Sequence, residues 1–240
     1  MTDGNINKGV KLKAFKCALP NTLPILAGFI FLGMSYGFYM RVEGFPFYFP
    51  IIMSILIFGG SLEFVAVSML LSVFSPITSF LMALVIQARH LFYGITMLEK
   101  YKGTGKKKLY LIFGLCDESF SINCSAKIPD DVDKSWFYFF VTVLNQSYWV
   151  AGAALGSLAG SIVTFNTEGI DFVMTAMFVV IFLENWLKEK RHISSLIGVL
   201  ASLGCLILFG KDSFLIPTMV CIVLLLFLFK RPIERGGDEK

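Results

Sequence analysis

Long apolar runs separated by short polar connections dominate the pattern of this chain. The runs cover residues 19–40, 47–74, 76–98, 109–126, 136–163, 170–187, 193–209 and 214–229. A helix needs about 20 apolar residues to cross the hydrocarbon core, with a range of roughly 17–25. Six of the runs fit that range to within a residue. The pattern predicts an all-α fold, a polytopic integral membrane helical bundle of about six to eight spans.

Two of the runs, 47–74 and 136–163, are long for a single upright crossing, at 28 residues each. Each is either a tilted helix or a helix broken at mid-depth. Candidate break points are Gly59-Gly60-Ser61 in the first run and Asn-Gln-Ser at 145–147 in the second. A glycine pair weakens a helix and permits unusual backbone angles, although it also suits a close contact between helices. Such a packing ridge is the expectation for the glycines at 152, 156 and 160.

The basic residues restrict the topology. The stretches 1–18, 99–108 with its five lysines, 188–192 and 230–240 are basic, whereas 41–46, 127–135 and 164–169 are acidic or poor in basic residues. Cytoplasmic loops carry an excess of Lys and Arg. If every run crossed once from a cytoplasmic N-terminus, the five-lysine connection would lie outside. If both long runs instead enter and return on the outer side, all four basic stretches lie inside.

This arrangement predicts a cytoplasmic tail at 1–18, a transmembrane domain at 19–229 and a second cytoplasmic tail at 230–240. The domain would hold two parallel repeats of span, broken pair and span, at about 19–98 and 109–187, and a terminal hairpin at 193–229. Tilted single crossings, or a run that breaks into two unequal full spans, remain alternatives. The expected location is the plasma membrane.

Composition supports the membrane class. Hydrophobic residues make up 56% of the chain and charged residues 16%, whereas soluble domains carry about a quarter charged residues. The basic residues lie at segment ends, so the net charge of +4 indicates orientation in a lipid bilayer and no nucleic-acid partner. The five cysteines are scattered without metal or disulfide spacing, and we expect no cofactor.

Arg89 alone among the 21 Lys and Arg residues lies inside a long apolar run. A cation at bilayer depth costs roughly 2.5–3.5 kcal/mol, so it normally faces a cavity, a partner or a substrate. Arg89-His90 and Asp117-Glu118 lie at similar distances on either side of 99–108, so Arg89 and Asp117 should be within side-chain reach across a helical hairpin. A salt bridge that only supports folding is the alternative to a substrate or proton site, but four ionisable groups exceed what one pair requires.

Three further polar residues belong to the candidate site. Glu63 follows Gly59-Gly60-Ser61 directly. If a helix restarts there, Ser61 fits its N-cap, and half-helix N-termini at mid-depth bind substrate carboxylates in several transporter folds. Glu63 would then receive an ammonium group or complement the dipole of its own helix. Gln87 adds a polar group on a different helical face from Arg89.

Two motifs at these residues resemble the AzlC family of branched-chain amino acid exporters. They are QARHLFYG at 87–94 and CDESF at 116–120, joined by similarities at 23–28 and at 59–64. The resemblance covers about 14–187. It implies a large subunit that works with a small AzlD-type membrane subunit. It also implies export of leucine, isoleucine, valine and related amino acids, driven by the proton gradient.

The leading hypothesis is therefore a proton-coupled secondary exporter, an antiporter and not an enzyme, with His90, Asp117 or Glu118 as the titrating group. The alternatives are an integral-membrane enzyme that uses the layer of Arg89, His90, Asp117 and Glu118, and a passive channel subunit. Catalytic motifs that would support the enzyme are missing, and no GxxxxGK[ST] loop for ATP is present.

Overall fold

The computed structural model describes residues 3–73, 75–162, 179, 182–183, 186–187 and 192–228. Every element in this part of the chain is helical, which confirms the all-α prediction. The chain divides into two units, Met1–Val173 and Met174–Lys240. The helices of the first unit are α1 (Asp3–Val42), α2 (Tyr48–Leu56), α3 (Ser61–Leu71), α4 (Pro76–Ile86), α5 (Ala88–Met97), α6 (Lys107–Phe113), α7 (Asp117–Ser125) and α8 (Lys134–Ile162). The second unit contains the helices α9 (Ile193–Ser213) and α10 (Leu215–Leu228).

The helices α1 and α8 lie side by side in parallel. The ring centroids of Phe29 and Trp149 lie 5.6 Å apart, and a Cβ atom added to Gly152 would lie 2.7 Å from the carbonyl oxygen of Ile30. A Cβ atom on Gly33 would in turn lie 2.7 Å from the carbonyl oxygen of Trp149. Glycine lets the two backbones approach this closely. The packing ridge predicted at 152, 156 and 160 is confirmed, since all three positions face α1.

One end of the first unit gathers several lysines and is called here the lysine-rich end. Lys13 forms a salt bridge with Asp131, and the ammonium groups of Lys11 and Lys107 lie 4.5 and 3.6 Å from the ring centroid of Trp136. The N-terminal tail and the 99–108 connection therefore share one end, as predicted. The expectation that 127–135 lies on the other side is wrong, because the run before it does not cross.

The run 109–126 forms a hairpin instead of the expected span. α6 ends at Gly114, and α7 begins at Asp117 after an extended residue, Cys116. α7 returns to the lysine-rich end, where Lys100 Nζ donates to the carbonyl oxygens of Asn123 and Cys124, both at 2.9 Å. We describe α6 and α7 as the first-end hairpin.

The helices α2 and α3 form a second hairpin that enters from the opposite end. Ser157, near the end of α8, donates to the carbonyl oxygen of Phe47 at 2.9 Å. The chain breaks after Leu56, with Phe58 and Gly60 in the left-handed region at φ 44° and 33°. The break predicted at Gly59-Gly60-Ser61 is confirmed. α3 then turns back, since the Phe64 ring packs on the rings of Tyr36 and Tyr39 near the end of α1.

Two other runs differ in continuity from the favoured arrangement, and for 136–163 the alternative of one unbroken helix holds. The run 76–98 is broken at Gln87, where α4 and α5 meet at 50°. The run 136–163 is continuous through 145–147, because polar side chains there find partners on other helices: Asn145 Nδ2 donates to Ser119 Oγ at 3.1 Å and Gln146 Nε2 to the carbonyl oxygen of Ile55 at 3.1 Å. Residues 109–162 therefore follow the order hairpin, long helix, and not span, broken pair, span.

A span followed by a hairpin occurs twice in the first unit, in opposite directions. α1 precedes the α2–α3 hairpin, and the bent α4–α5 pair precedes the first-end hairpin. Elements repeated with opposite direction in the membrane are a common plan of secondary transporters. This order differs from that of the two parallel repeats favoured by the charge pattern; the last span of the second repeat, 170–187, lies largely outside the described residues.

The described helices include two that are long and apolar enough to cross a membrane, Gly9–Val42 and Ile193–Gly210, or three if the bent pair is one span. The predicted run 170–187 lies largely outside the described residues, and the tail 230–240 lies wholly outside them. The total number of spans and the cytoplasmic position of the tails therefore stay predictions.

Candidate functional site

Three half-helices, α3, α5 and α7, begin at the middle of the first unit. Trp149, near the middle of α8, contacts Glu63 in the first turn of α3, and Asn145 contacts Ser119 in the first turn of α7. α5 reaches the same level through Arg89. The N-terminus of a helix carries a partial positive charge of about half an elementary unit. The middle of the unit is therefore suited to an anionic group.

Arg89 joins the two hairpins. Its Nη1 atom lies 2.7 Å from Asp117 Oδ2, and its Nη2 atom donates to Ser61 Oγ at 3.5 Å. The pairing of Arg89 and Asp117 predicted from equal depth is thus confirmed. Their side chains are 40% and 39% exposed. Contact between charges and hydrocarbon is costly, so a charged pair with this exposure needs a polar surrounding.

Glu63 is fully buried and connects the tip of the α2–α3 hairpin to α8. Its Oε1 atom accepts a hydrogen bond from the Gly59 N–H at 3.1 Å. Trp149 Nε1 lies 3.1 Å from both carboxylate oxygens. The N-cap expected at Ser61 is one residue out of place, since Gly60 holds that position and Ser61 is the first helical residue. With its hydroxyl not used as a cap, Ser61 contacts Arg89.

Gln87 belongs to the site although it was placed on a different face from Arg89. It precedes α5 at the break between α4 and α5, so the face pattern of a continuous helix does not apply. Its Nε2 atom donates to the carbonyl oxygen of Gly59 at 3.5 Å. Gln87 and Arg89 therefore contact the same hairpin tip at positions two residues apart.

His90 and Glu118 lie next to the ion pair in sequence and do not join it. The His90 ring centroid lies 5.7 Å from that of Tyr93, which stacks on Phe120 at 4.4 Å. This stack joins α5 to α7. The ion pairs of the described residues do not include Glu118.

Sequence reasoning missed three residues that support the site: Ser119, Asn145 and Trp149. Asn145 appeared only as a possible break point, and Trp149 as one aromatic residue among many. Asn145 bonds Ser119, whose Oγ atom also lies 3.2 Å from Cys116 Sγ. A polar or indole side chain in the middle of a long apolar run was the available signal. Among the described residues, His, Cys, Asp and Glu do not form a group of three that could hold a metal ion.

Half-helices that meet around a charged pair, inside an apolar helical unit, define a membrane protein with a polar centre. Residues 24–163 match the sequence model of the AzlC protein family. This match covers more than half of the chain, so the chain belongs to the AzlC family. The resemblance seen in the two motifs is confirmed.

Relatives over most of the chain agree with this assignment. A Bacillus subtilis (strain 168) protein named branched-chain amino acid transport protein AzlC is 59% identical over 223 residues, 93% of this chain and 88% of that protein. An uncharacterized membrane protein of Haemophilus influenzae is 52% identical over 89% of this chain and 88% of its own length. The inner membrane protein YgaZ of Escherichia coli K12 is 25% identical over 83% and 82%. No solved structure matches the chain.

Proposed function

We propose that this protein exports branched-chain and related hydrophobic amino acids across the plasma membrane, as a proton-coupled secondary transporter. The name of the 59% identical Bacillus subtilis relative, a branched-chain amino acid transport protein, supports the substrate class. The observation that carries the proposal is the contact of Arg89 with both hairpins at the middle of the first unit. A site at that level, reached by hairpins from opposite ends, suits a substrate that is exposed to each side in turn.

Proton coupling follows because the proton and the substrate compete for the same acceptor groups. A proton on Asp117, Glu118 or His90 changes the charge of the layer that receives the substrate. Substrate and proton then exclude each other, which gives an exchange of one for the other.

A small AzlD-type membrane subunit is the proposed partner. The exposed parts of Arg89 and Asp117 are consistent with a further protein surface or a water-filled path at mid-depth. Both tails are proposed to be cytoplasmic, with the lysine-rich end on that side, in agreement with the distribution of basic residues.

The test uses the purified chain with its small subunit in liposomes loaded with leucine, at fixed membrane potential. An imposed pH gradient should drive leucine against its concentration gradient, and a protonophore should abolish this movement. Asp117→Asn should stop uphill transport, whereas the matched variant Asp131→Asn, at the lysine-rich end, should behave like the natural protein. Uphill movement that survives collapse of the pH difference would contradict proton coupling. Downhill, unsaturable flux would favour the passive channel.

A further inference from the structure

The centre of the first unit contains unpaired polar atoms of both kinds. Arg89 Nε is a donor without a partner, and Gln87 Oε1 and Asp117 Oδ1 are acceptors without partners in the described part of the chain. All three atoms are shielded from solvent. Buried polar atoms in folded proteins are nearly always hydrogen-bonded. Eight buried side-chain atoms among the described residues lack a partner, and the three named here belong to side chains that meet at one place, where together they fit a ligand with both an acceptor and a donor end.

These atoms belong to side chains that meet at the same hairpin tip. Gln87 bonds Gly59, Arg89 contacts Ser61, and Asp117 pairs with Arg89. These contacts leave one edge of the guanidinium group without a short hydrogen bond. Nη1 is held by Asp117 at 2.7 Å, while Nη2 has only a long contact of 3.5 Å and Nε has none. A guanidinium edge formed by Nε and one Nη atom can bind both oxygens of a carboxylate.

The free acceptors match the other end of the same molecule. Asp117, whose carboxylate also has the Tyr93 hydroxyl beside it, contributes the oxygen Oδ1, and Gln87 contributes an amide oxygen. An ammonium group has three N–H donors to offer them. The start of α5 has no side-chain cap hydrogen bond and no acidic residue in its first turn, and its partial positive charge adds to the preference for a carboxylate near Arg89.

We propose that this site binds both charged ends of a zwitterionic α-amino acid, with Arg89 on the carboxylate and Asp117 together with Gln87 on the ammonium group. The proposal rests on the proposed function for the identity of the cargo. It adds Gln87 and Asp117 as residues that determine specificity. An analogue that lacks the ammonium group leaves two buried acceptors unpaired, and one that lacks the carboxylate leaves the guanidinium edge unpaired. Sites of this kind reject such analogues strongly.

The experiment compares leucine with three analogues that keep the side chain: its 2-oxo acid, leucinamide and isopentylamine. Binding is measured by ligand-induced thermal stabilisation of the purified protein with its small subunit, and transport by competition with labelled leucine. Each analogue should bind at least about tenfold more weakly than leucine, the modest end of what a lost buried partner produces. A 2-oxo acid or an amine that binds as well as leucine would overturn the proposal.

Gln87→Met tests the residue, because methionine keeps the length of the side chain and lacks the amide oxygen. The variant should weaken leucine binding and leave binding of the 2-oxo acid unchanged. The preference for leucine over the 2-oxo acid, measured as the ratio of their affinities, should therefore fall. Gln146→Met is the matched control, since Gln146 bonds Ile55 and Tyr110 away from Arg89. An equal fall of this affinity ratio in Gln87→Met and Gln146→Met would contradict a specific role for Gln87.

The two proposals fail differently. If leucine binds selectively but the pH gradient does not drive it, the zwitterion site stands and the proton-coupled function is wrong. If leucine is driven by the pH gradient but its 2-oxo acid competes equally well, the function stands and the zwitterion site is wrong. Absence of both binding and transport of leucine contradicts both.

Discussion

Ser61 and Asp117 occupy the first position of two half-helices that approach from opposite ends, and both contact the guanidinium group of Arg89. The two contacts differ in strength. The one to Asp117 is a short ion pair of 2.7 Å, and the one to Ser61 is a long hydrogen bond of 3.5 Å. Movement of the α2–α3 hairpin therefore breaks the weaker contact, whereas movement of the first-end hairpin must separate opposite charges.

Arg89→Lys should reduce leucine transport at least about tenfold, which corresponds to roughly 1.4 kcal/mol. Lysine keeps the charge but cannot hold Asp117 and a second group through a planar fork. The measurement is the initial rate in liposomes, normalised to folded protein from size-exclusion chromatography. Loss of folded protein in proportion to the loss of transport would instead indicate that the ion pair serves folding.

Glu63→Gln should retain folding and most transport, whereas Glu63→Ala should lose stability by about 1–3 kcal/mol, the usual penalty for unpaired buried donors. The glutamine oxygen can still accept from the Gly59 N–H and from Trp149 Nε1, which now bond Glu63. Alanine leaves both donors unpaired and removes the hydrogen bond that joins the tip of the α2–α3 hairpin to α8. Thermal unfolding in detergent measures the difference.

Trp149→Phe tests the same Glu63–Trp149 hydrogen bond by removing its donor. It removes the indole donor and should destabilise the natural protein, with little further effect in a Glu63→Ala background. Additive losses in the double variant would show that the two side chains act independently.

Gly152→Ala should destabilise the protein by roughly 1–3 kcal/mol, the range for overpacking. The new Cβ atom would meet the backbone oxygens of Ile30 and Phe29 at 2.7 and 3.0 Å, and backbone atoms cannot turn away as side chains do. Gly28→Ala is the control, because a Cβ atom there has no neighbour within 4 Å. Equal unfolding temperatures for the two variants would contradict the close α1–α8 contact.

The sequence predicted those features that depend on depth and on local backbone preference. The break near Gly59 was visible because a glycine pair lies in a run too long for one span. The pair Arg89–Asp117 was visible because both residues lie at similar distances from the 99–108 connection.

Features that depend on tertiary partners could not be predicted. The run 109–126 has the length of a span, and only the fold shows that it bends at Gly114–Cys116. The run 136–163 looked interrupted at 145–147, yet α8 continues because Asn145 and Gln146 have partners on other helices. The break at Gln87 follows residues 77–86, which contain no glycine or proline, and the partner of Gln87, Gly59, lies 28 positions earlier.

Asp131→Asn should change the unfolding temperature little at neutral pH and not at all in acid. The hydrogen bond from Lys13 lowers the pKa of Asp131 below its ordinary value of 3.8. A depressed carboxyl pKa stabilises the fold above the ordinary value, and this contribution is lost as the pH falls through the lowered one. Both side chains are exposed, so the pair contributes little. A large pH-dependent difference between variant and natural protein would contradict this.

Single cysteines at 102, 131 and 46 should report the direction of both hairpins. Lys102 and Asp131 lie at the lysine-rich end and Pro46 at the opposite end, and all three are exposed. In a background without the five native cysteines that still transports leucine, Lys102→Cys and Asp131→Cys should react with a membrane-impermeant thiol reagent only after the cells are opened. Pro46→Cys should react in intact cells.

Labelling of 131 and 102 from different sides would mean that 109–126 crosses the membrane, which contradicts the first-end hairpin. Labelling of both in intact cells, with 46 protected, would keep the fold and reverse the proposed orientation.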